Sequence, residues 1–221
     1  GNDADGDWMK EALTKEGLDI SHLKTGNGAT AVTYMDMNGT DRVHGDYVEG
    51  VLENIVFDEE DIAFAASCDL VHTALWGKAE DVLPKIKAAG AKRISFDYAD
   101  RLDHPLGEQT LSMVDYGFFS YHKERDDFIE AFLQDKVNRG MKIAVATFGD
   151  KGSLACDANG FTDGKVFPAK YVVNTVGAGD SFIAGFMYGV LNNLPVVQCL
   201  ETGSKVAAQV VQVFEPWVTE A

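Results

Sequence analysis

The sequence predicts an α/β fold on three observations. From Asp69 onward, short β-branched or aromatic runs alternate with longer stretches of helical period; two of those helical stretches close on a glycine; and a Gly-rich turn opens the first of two carboxy-terminal helices. The strands are expected in LVHTALW near residue 70, RISFDY near 93, YGFFSY near 116 and KIAVATF near 142. Between them, KAEDVLPKIKAAG and KERDDFIEAFLQDKVNRG are rich in helix formers and end at Gly90 and Gly140, the residue type suited to the position after a helix. These read as crossover helices. After Phe148 the pattern becomes GSLACDANGFTDGKVFPAKYVVNT, in which the Asn159 and Gly160 pair joins two short strands as a hairpin. The stretch before residue 60 differs: TAVTYMDM alternates, Asn38 and Gly39 supply a turn, and RVHGDYVEGV follows as a second strand-like run. The reading is one α/β domain over 1–221 with a small β flap at about 28–57.

Composition narrows the function classes. The 221 residues are 46% hydrophobic and 10% aromatic, an ordinary globular balance, and the formal net charge is −16. An acidic chain is a poor match for a polyanionic partner, which argues against nucleic acid and an anionic membrane surface. No window approaches the roughly 20 apolar residues of a membrane span. The opening GNDADGD lacks the basic and apolar regions of a signal peptide, so a cytoplasmic protein is expected. Cys68, Cys156 and Cys199 are odd in number and outside any CxxC spacing; reduced, mostly buried thiols are expected. The five histidines, His22, His44, His72, His104 and His122, show no spacing that would put two rings on one metal.

The most informative segment is VVNTVGAGDSFIAGFMYGVL, read as three strand-like residues, then Gly177, Ala178, Gly179 and Asp180, then a helix with the apolar stripe Phe182, Ile183, Phe186, Met187, Val190 and Leu191. Small residues at the mouth of a helix leave backbone N–H groups uncovered where the helix already has orphan donors and partial positive charge, which makes an anion site. Neither the GxxxxGK[ST] loop nor GxGxxG is present. What distinguishes this loop is a carboxylate inside it. Such a charge beside a phosphate is unfavourable unless it has a task, and taking the proton of an attacking hydroxyl is one. The residues alone also permit a plain strand-to-helix turn with Asp180 placed for the helix dipole.

TVGAGDSF resembles the carboxy-terminal signature of the ribokinase-like, or PfkB-type, carbohydrate kinases, DTxGAGD followed by a helix; a chance match is on the order of 10⁻³ or less. The resemblance extends along essentially the whole chain. GNDADG is similar to the family's G-x-D-x-x-G, GLDISHL with TAVTYMDM to its entry into a lid, and ATFGDKGSLAC to its nucleotide-side segment. DRVHGDYVEGV, HTALWGKAED and NTVGAGDSFIAGF are similar to bacterial members that phosphorylate the 6-hydroxyl of a fructose-type Amadori compound. The implied fold is ribokinase-like: a mostly parallel, doubly wound sheet with helices on both faces and a small β lid. The implied activity is transfer of the γ-phosphoryl group of ATP, with Mg²⁺, to a hydroxyl of a fructose-type sugar. The alternatives are another sugar or nucleoside as acceptor, or a non-catalytic nucleotide- or sugar-binding paralogue.

Carried over residue by residue, the resemblance implies that Asp180 is the general base and that Gly177, Ala178 and Gly179 form the anion hole. Thr147, Gly149 and Gly152 match positions lining the ATP phosphates and ribose, and Gly203 and Ala207 match the helix flanking the adenine. Asp97 and Arg101 match the outer positions of D-x-N-x-R, with Ala99 in place of the Asn, and Asp41, Arg42 and Asp46 of the flap could face the sugar. A charged edge strand equally guards against aggregation. The family's metal-binding N-x-x-E is altered: Lys123 and Asp126 stand at those places, leaving Glu124 or Asp126 to hold Mg²⁺ through water. Asn174 precedes the signature threonine where the family usually has Asp, which offers a monovalent cation an amide oxygen without the charge. The family's first strand, early substrate-binding Asp and Gly-Gly-Asn sugar loop have no counterpart here, so an incomplete sugar pocket is expected. A homodimer through the β lid is expected, because pairing would protect its exposed edges.

Overall fold

The computed structural model describes residues 1–38 and 41–216. Helix α1 (Ala4–Lys15) starts at Asp3, whose carboxylate caps it by accepting the Gly6 N–H at 2.9 Å. The same carboxylate accepts the Thr30 hydroxyl at 2.5 Å and the Thr30 N–H at 2.7 Å. These bonds, those of Thr30 foremost, hold the Asp3 carboxyl down to about 2. A Cβ on Gly6 would run into the Gly1 carbonyl. The opening GNDADG therefore ties the start of the chain to the base of the flap. The flap is an antiparallel pair, β1 (Val32–Asn38) and β2 (Asp41–Val48), with a register break between Thr33 and Met35. Asn38 closes β1 opposite Asp41; Gly39 of the expected turn lies outside the described residues, as do the side chains of Asp41 and Arg42.

The main sheet has six strands in chain order: β3 (Val71–Ala74), β4 (Ile94–Asp97), β5 (Tyr116–Ser120), β6 (Ile143–Thr147), β7 (Ser153–Asp157) and β8 (Gly160–Gly164). The first four run parallel, and β7 runs opposite to them, pairing antiparallel with both β6 and β8. Helix α2 (Glu59–Ser67) precedes β3, and α3 (Leu83–Ala88), α4 (Leu106–Gln109) and α5 (Asp127–Asn138) occupy the crossovers. Gly90 and Gly140 follow α3 and α5 at φ +101° and +127°, as their positions require. Because strand order follows chain order, right-handed crossovers place all these helices on one face. The last two helices, α6 (Ala178–Leu191) and α7 (Val196–Val210), cover the other.

Strand alternation divides the core accordingly. Phe119, Ala144, Ala146, Leu154 and Cys156 face the α2–α5 side with Leu83, Ile129 and Leu133, while Tyr116, Phe118, Val145 and Ala155 face Phe182, Phe186 and Leu200. Coverage on both faces is why these strands read as nearly continuous apolar runs. Phe118 meets Phe186 edge to face with centroids 5.4 Å apart, and Tyr98 stacks on Phe119 at 4.8 Å.

Two expectations are corrected. Asp157 pairs with Gly160, so the hairpin turn consists of Ala158 and Asn159, held by the Asn159 N–H on the Asp157 carboxylate at 2.8 Å; Gly160, at φ +110°, is the first residue of β8. The segment VVN before the Gly-rich loop is not a strand: it runs beside the end of α7, with the Val173 N–H donating to the Val211 carbonyl at 2.7 Å.

The second face is held by close helix contact. A Cβ on Gly185 of α6 would lie 2.8 Å from the Thr202 carbonyl oxygen and 2.9 Å from the Gly203 Cα of α7. Gly185→Ala is expected to cost about 1–3 kcal/mol by forcing the helices apart. Gly107→Ala in α4, where a Cβ meets nothing within 4 Å, is the matched control, expected neutral or stabilising by up to ~1 kcal/mol. Urea-denaturation midpoints of the two variants check the contrast.

Candidate active site

Topology fixes where the Gly-rich loop opens. Asp157 at the end of β7 lies opposite Ile143 at the start of β6, so the β7–β8 turn sits at the amino-terminal edge of the parallel strands. The α6–α7 turn shares a cavity with it, lined by Asp157, Gly160, Leu194 and Pro195. Helix α6 therefore runs back toward the opposite edge, where Asp97, Ser120 and Thr147 end their strands and where open α/β sheets bind ligands. Gly177 is the N-cap, at φ +76°, a left-handed conformation that favours glycine. A Cβ there would also collide with the Pro216 carbonyl. With no side-chain oxygen at the cap, the N–H groups of Gly179 and Asp180 at the helix opening are left for a ligand or solvent. Both residues are exposed on this edge.

His72 of β3 pairs in register with Ser95 of β4, two residues before those strands end. Its Nδ1 is 2.8 Å from the Ser95 hydroxyl oxygen of β4. Solvent reaches the ring, yet the surrounding protein pushes its pKa down, opposed by the negative charge of Asp180. A lone histidine in an alternating strand carries no sequence signal for this placement.

The loop from Phe148 to Gly152 is a tight return. Phe148 donates its N–H to the Gly152 carbonyl at 2.8 Å, and Gly149 and Gly152 have φ of +62° and +103°. A Cβ on Gly152 would meet the Gly164 carbonyl, so this glycine is required by the β7–β8 edge as well. Beside the loop lies an open cavity of about 470 Å³ with Phe148, Lys151 and Lys165 on its wall. Its other cation, Arg125, is held bidentately by Asp163 at 2.7 Å and by Glu130 at 2.6 Å. Thr147 closes β6 and its carbonyl accepts the Tyr121 N–H at 2.9 Å.

The D-x-x-x-R pair sits on the same edge. The Asp97 carboxylate accepts the Ala99 N–H at 2.9 Å, bending the chain through Ala99 at φ +47°. Alanine rarely adopts that conformation, which asparagine tolerates better. Arg101 is exposed, with Nε 3.3 Å from Asp100. Asp46 is exposed on the flap.

The remaining expected residues each have a structural engagement. A Cβ on Gly203 would lie 2.7 Å from the Phe182 carbonyl oxygen, so this glycine serves the close approach of α6, and Ala207 packs against the same core. Asp126 is the N-cap of α5, accepting the Ile129 N–H at 3.0 Å and the Tyr121 hydroxyl at 2.8 Å; the Ile129 bond is the main cause of its lowered pKa. Glu124 pairs with Lys151 at 3.1 Å. No group of three or more His, Cys, Asp or Glu among the described residues could hold a metal ion. Glu124 and Asp126 are each engaged by a protein partner, Lys151 and the start of α5 respectively.

Asn174 is buried, its Nδ2 donating to the Phe214 and Val213 carbonyls at 3.0 and 3.4 Å while its Oδ1 accepts the Val176 N–H at 2.8 Å. The amide oxygen expected for a cation is thus engaged by the loop itself. All three thiols are free, with Cys156 and Cys199 buried and Cys68 partly so. No helix among the described residues is long and apolar enough to cross a membrane.

The mostly parallel sheet gathers the helix opening at Gly177, the carboxylate of Asp180 and the Gly-bearing return at its carboxyl edge, an arrangement suited to an α/β phosphotransferase. The model of the pfkB family of carbohydrate kinases matches residues 1–216, and the chain belongs to that family. It is 39% identical over 217 residues to the fructoselysine 6-kinase of Escherichia coli strain K12, covering 98% of this chain and 82% of that protein. It is 24% identical over 219 residues to the fructosamine kinase FrlD of Bacillus subtilis strain 168, covering 97% and 76% of the two chains. The structure of Arabidopsis thaliana ribokinase complexed with ribose and ATP matches with a TM-score of 0.83 at 21% identity, over 97% of this chain and 74% of that one.

If Asp126 serves α5 and not the metal, Asp126→Asn, which keeps a capping oxygen, leaves the Mg²⁺ concentration dependence of ADP release unchanged. A Mg²⁺ requirement raised about tenfold or more would return Asp126 to the metal.

Proposed function

We propose that this chain phosphorylates the 6-hydroxyl of a fructose-type Amadori compound, fructoselysine above all, with ATP as donor. The observation that carries the reading is the placement of Asp180 in the first turn of α6, beside the uncovered N–H groups of the helix opening. The 39% identity to a fructoselysine 6-kinase supports the choice of acceptor.

In this reading the Asp180 carboxylate takes the proton of the acceptor hydroxyl as that oxygen attacks the γ-phosphorus. The bond from phosphorus to the bridging oxygen breaks, and ADP leaves. The Gly179 and Asp180 N–H groups, at the positive end of α6, receive the charge spread over the transferring phosphoryl oxygens. Gly177 sets the direction of those groups through its left-handed turn. The return at Thr147, Gly149 and Gly152 holds the nucleotide beside the cavity at Phe148 and Lys151. Arg101 lies on the same edge to face the phosphates, and the flap excludes water from the acceptor. Mg²⁺ would screen the nucleotide's phosphates, which hold it largely without protein carboxylates.

The flap also supplies the assembly. Tyr34, Met35, Val43, Tyr47 and Val48 are all exposed on a two-stranded ribbon, a form marginally stable by itself. Pairing of two flaps buries these groups and covers the edges. Light scattering at micromolar concentration is expected to give a homodimer, and Tyr47→Asp to shift it toward monomer; a monomeric unmodified protein would count against the pairing.

Asp180→Asn is expected to lower the rate of ADP release by at least about 10³-fold while nucleotide binding persists, since the amide cannot accept the proton. The assay compares fructoselysine with psicoselysine, fructose, ribose and adenosine. Preference for fructoselysine is expected; a different preferred acceptor overturns the substrate, and unchanged turnover in Asp180→Asn overturns the base.

A further inference from the structure

The family resemblance implies a monovalent cation near the residue before the signature threonine, and the donor set at that place does not fit one. Asn174 is 4% exposed and bridges two segments, the loop that leads into α6 and the carboxy-terminal stretch 213–216. Its orientation is dictated by its partners. The Val213 and Phe214 carbonyls can only accept, and the Val176 N–H can only donate, so the amide nitrogen must face the carbonyls and the oxygen must face Val176.

A carboxylate in the same position would keep the Val176 contact with one oxygen and turn the other onto two carbonyl oxygens. Three converging oxygens and a net negative charge make a site that a cation neutralises, as rings of carbonyls do in ion filters. The amide instead brings N–H protons to those carbonyls. We propose that Asn174 replaces an activating monovalent cation, fastening the stretch at 213–214 to the phosphoryl-transfer loop with its own N–H donors.

The fastening matters for the loop because the carboxy-terminal segment forms its wall. The Pro216 carbonyl lies against the Cα of Gly177, and the Val173 N–H is held by the Val211 carbonyl at 2.7 Å. Displacing 213–216 would release the turn that aims the Gly179 and Asp180 N–H groups. Asn174 is thus a positioning residue, and the consequence is a loop whose order does not depend on the salt.

The kinetic part of the test rests on the kinase reading; the thermal part does not. ADP release and melting temperature are measured in tetramethylammonium chloride and in potassium chloride at equal ionic strength. For the unmodified protein both readouts are expected to be indifferent to the cation, rates agreeing within about twofold. Asn174→Asp is expected to lose roughly tenfold or more in kcat in tetramethylammonium, the scale of one broken buried hydrogen bond, and to regain most of it in potassium. Its melting temperature should rise by several degrees with potassium. Asn174→Ala, which supplies neither donor nor charge, should be slowed equally in both salts. Potassium stimulation or stabilisation of the unmodified protein overturns the proposal whether or not either variant folds. So does an Asn174→Asp variant as indifferent to potassium as its parent. Absence of ADP release in every salt condemns the kinase reading alone, and the melting comparison still decides the role of Asn174.

Discussion

Everything at the carboxyl edge depends on how closely α6 lies on α7. Gly185 and Gly203 face each other across that contact, and a Cβ on Gly189 would lie 2.8 Å from the Cys199 sulfur, so three glycines let the helices approach with little side chain between them. Seated this way, α6 turns Phe182, Ile183, Phe186 and Met187 into the sheet, each burial contributing on the order of 2 kcal/mol. The same seating fixes where the helix begins. An anion loop is useful only if its N–H groups hold still, and here a rigid helix anchored over its length carries them. Core packing and site geometry are two outcomes of one contact.

Much of this architecture is legible in the sequence. Strands β5 and β6 announce themselves because both of their faces are covered, so aromatic and apolar residues run on with little polar interruption. Gly90 and Gly140 mark the ends of α3 and α5 because only a left-handed residue continues the chain there. The Gly-Ala-Gly-Asp turn is legible for the same reason at the start of α6. Helices α1 and α2 are less so: each buries only one or two residues, so neither shows a strong apolar stripe. VVN has strand composition, but its neighbour is a helix end, and pairing partners are a tertiary fact that local propensity does not contain. Asp126 and Gly203 show why site roles are harder to read. An aspartate that caps a helix and one that holds a metal look alike in sequence, as do a glycine beside a ligand and one beside another helix.

The acid excess has a structural account. Asp3, Asp58 and Asp126 each cap a helix, and Asp58 forms a capping box with Asp61 at the start of α2. Asp115, nearly buried, takes the Ile94 N–H at 2.9 Å and the ammonium groups of Lys142 and Lys87 at 3.0 and 3.2 Å. Glu108 serves Arg139 and Lys136 together, and Arg139 above all holds its carboxyl down to about 2. These carboxylates are spent on helix starts and crossovers, away from the loop that must accept an anion. In the proposed function, a chain of net charge −16 would bind phosphate by local geometry, through backbone dipoles, while its overall field discourages polyanions.

The distribution of thiols sets how the protein meets electrophiles. Burial raises the pKa of Cys156 and Cys199, so little thiolate forms there at neutral pH, and Cys199 is further enclosed by the backbone of Gly189. Cys68, at the end of α2, is partly open to solvent. An alkylating dye would find this one position first, on the face of the sheet opposite α6. The chain therefore carries a native attachment point for a fluorophore, placed where a reporter can follow events at the carboxyl edge without occupying it.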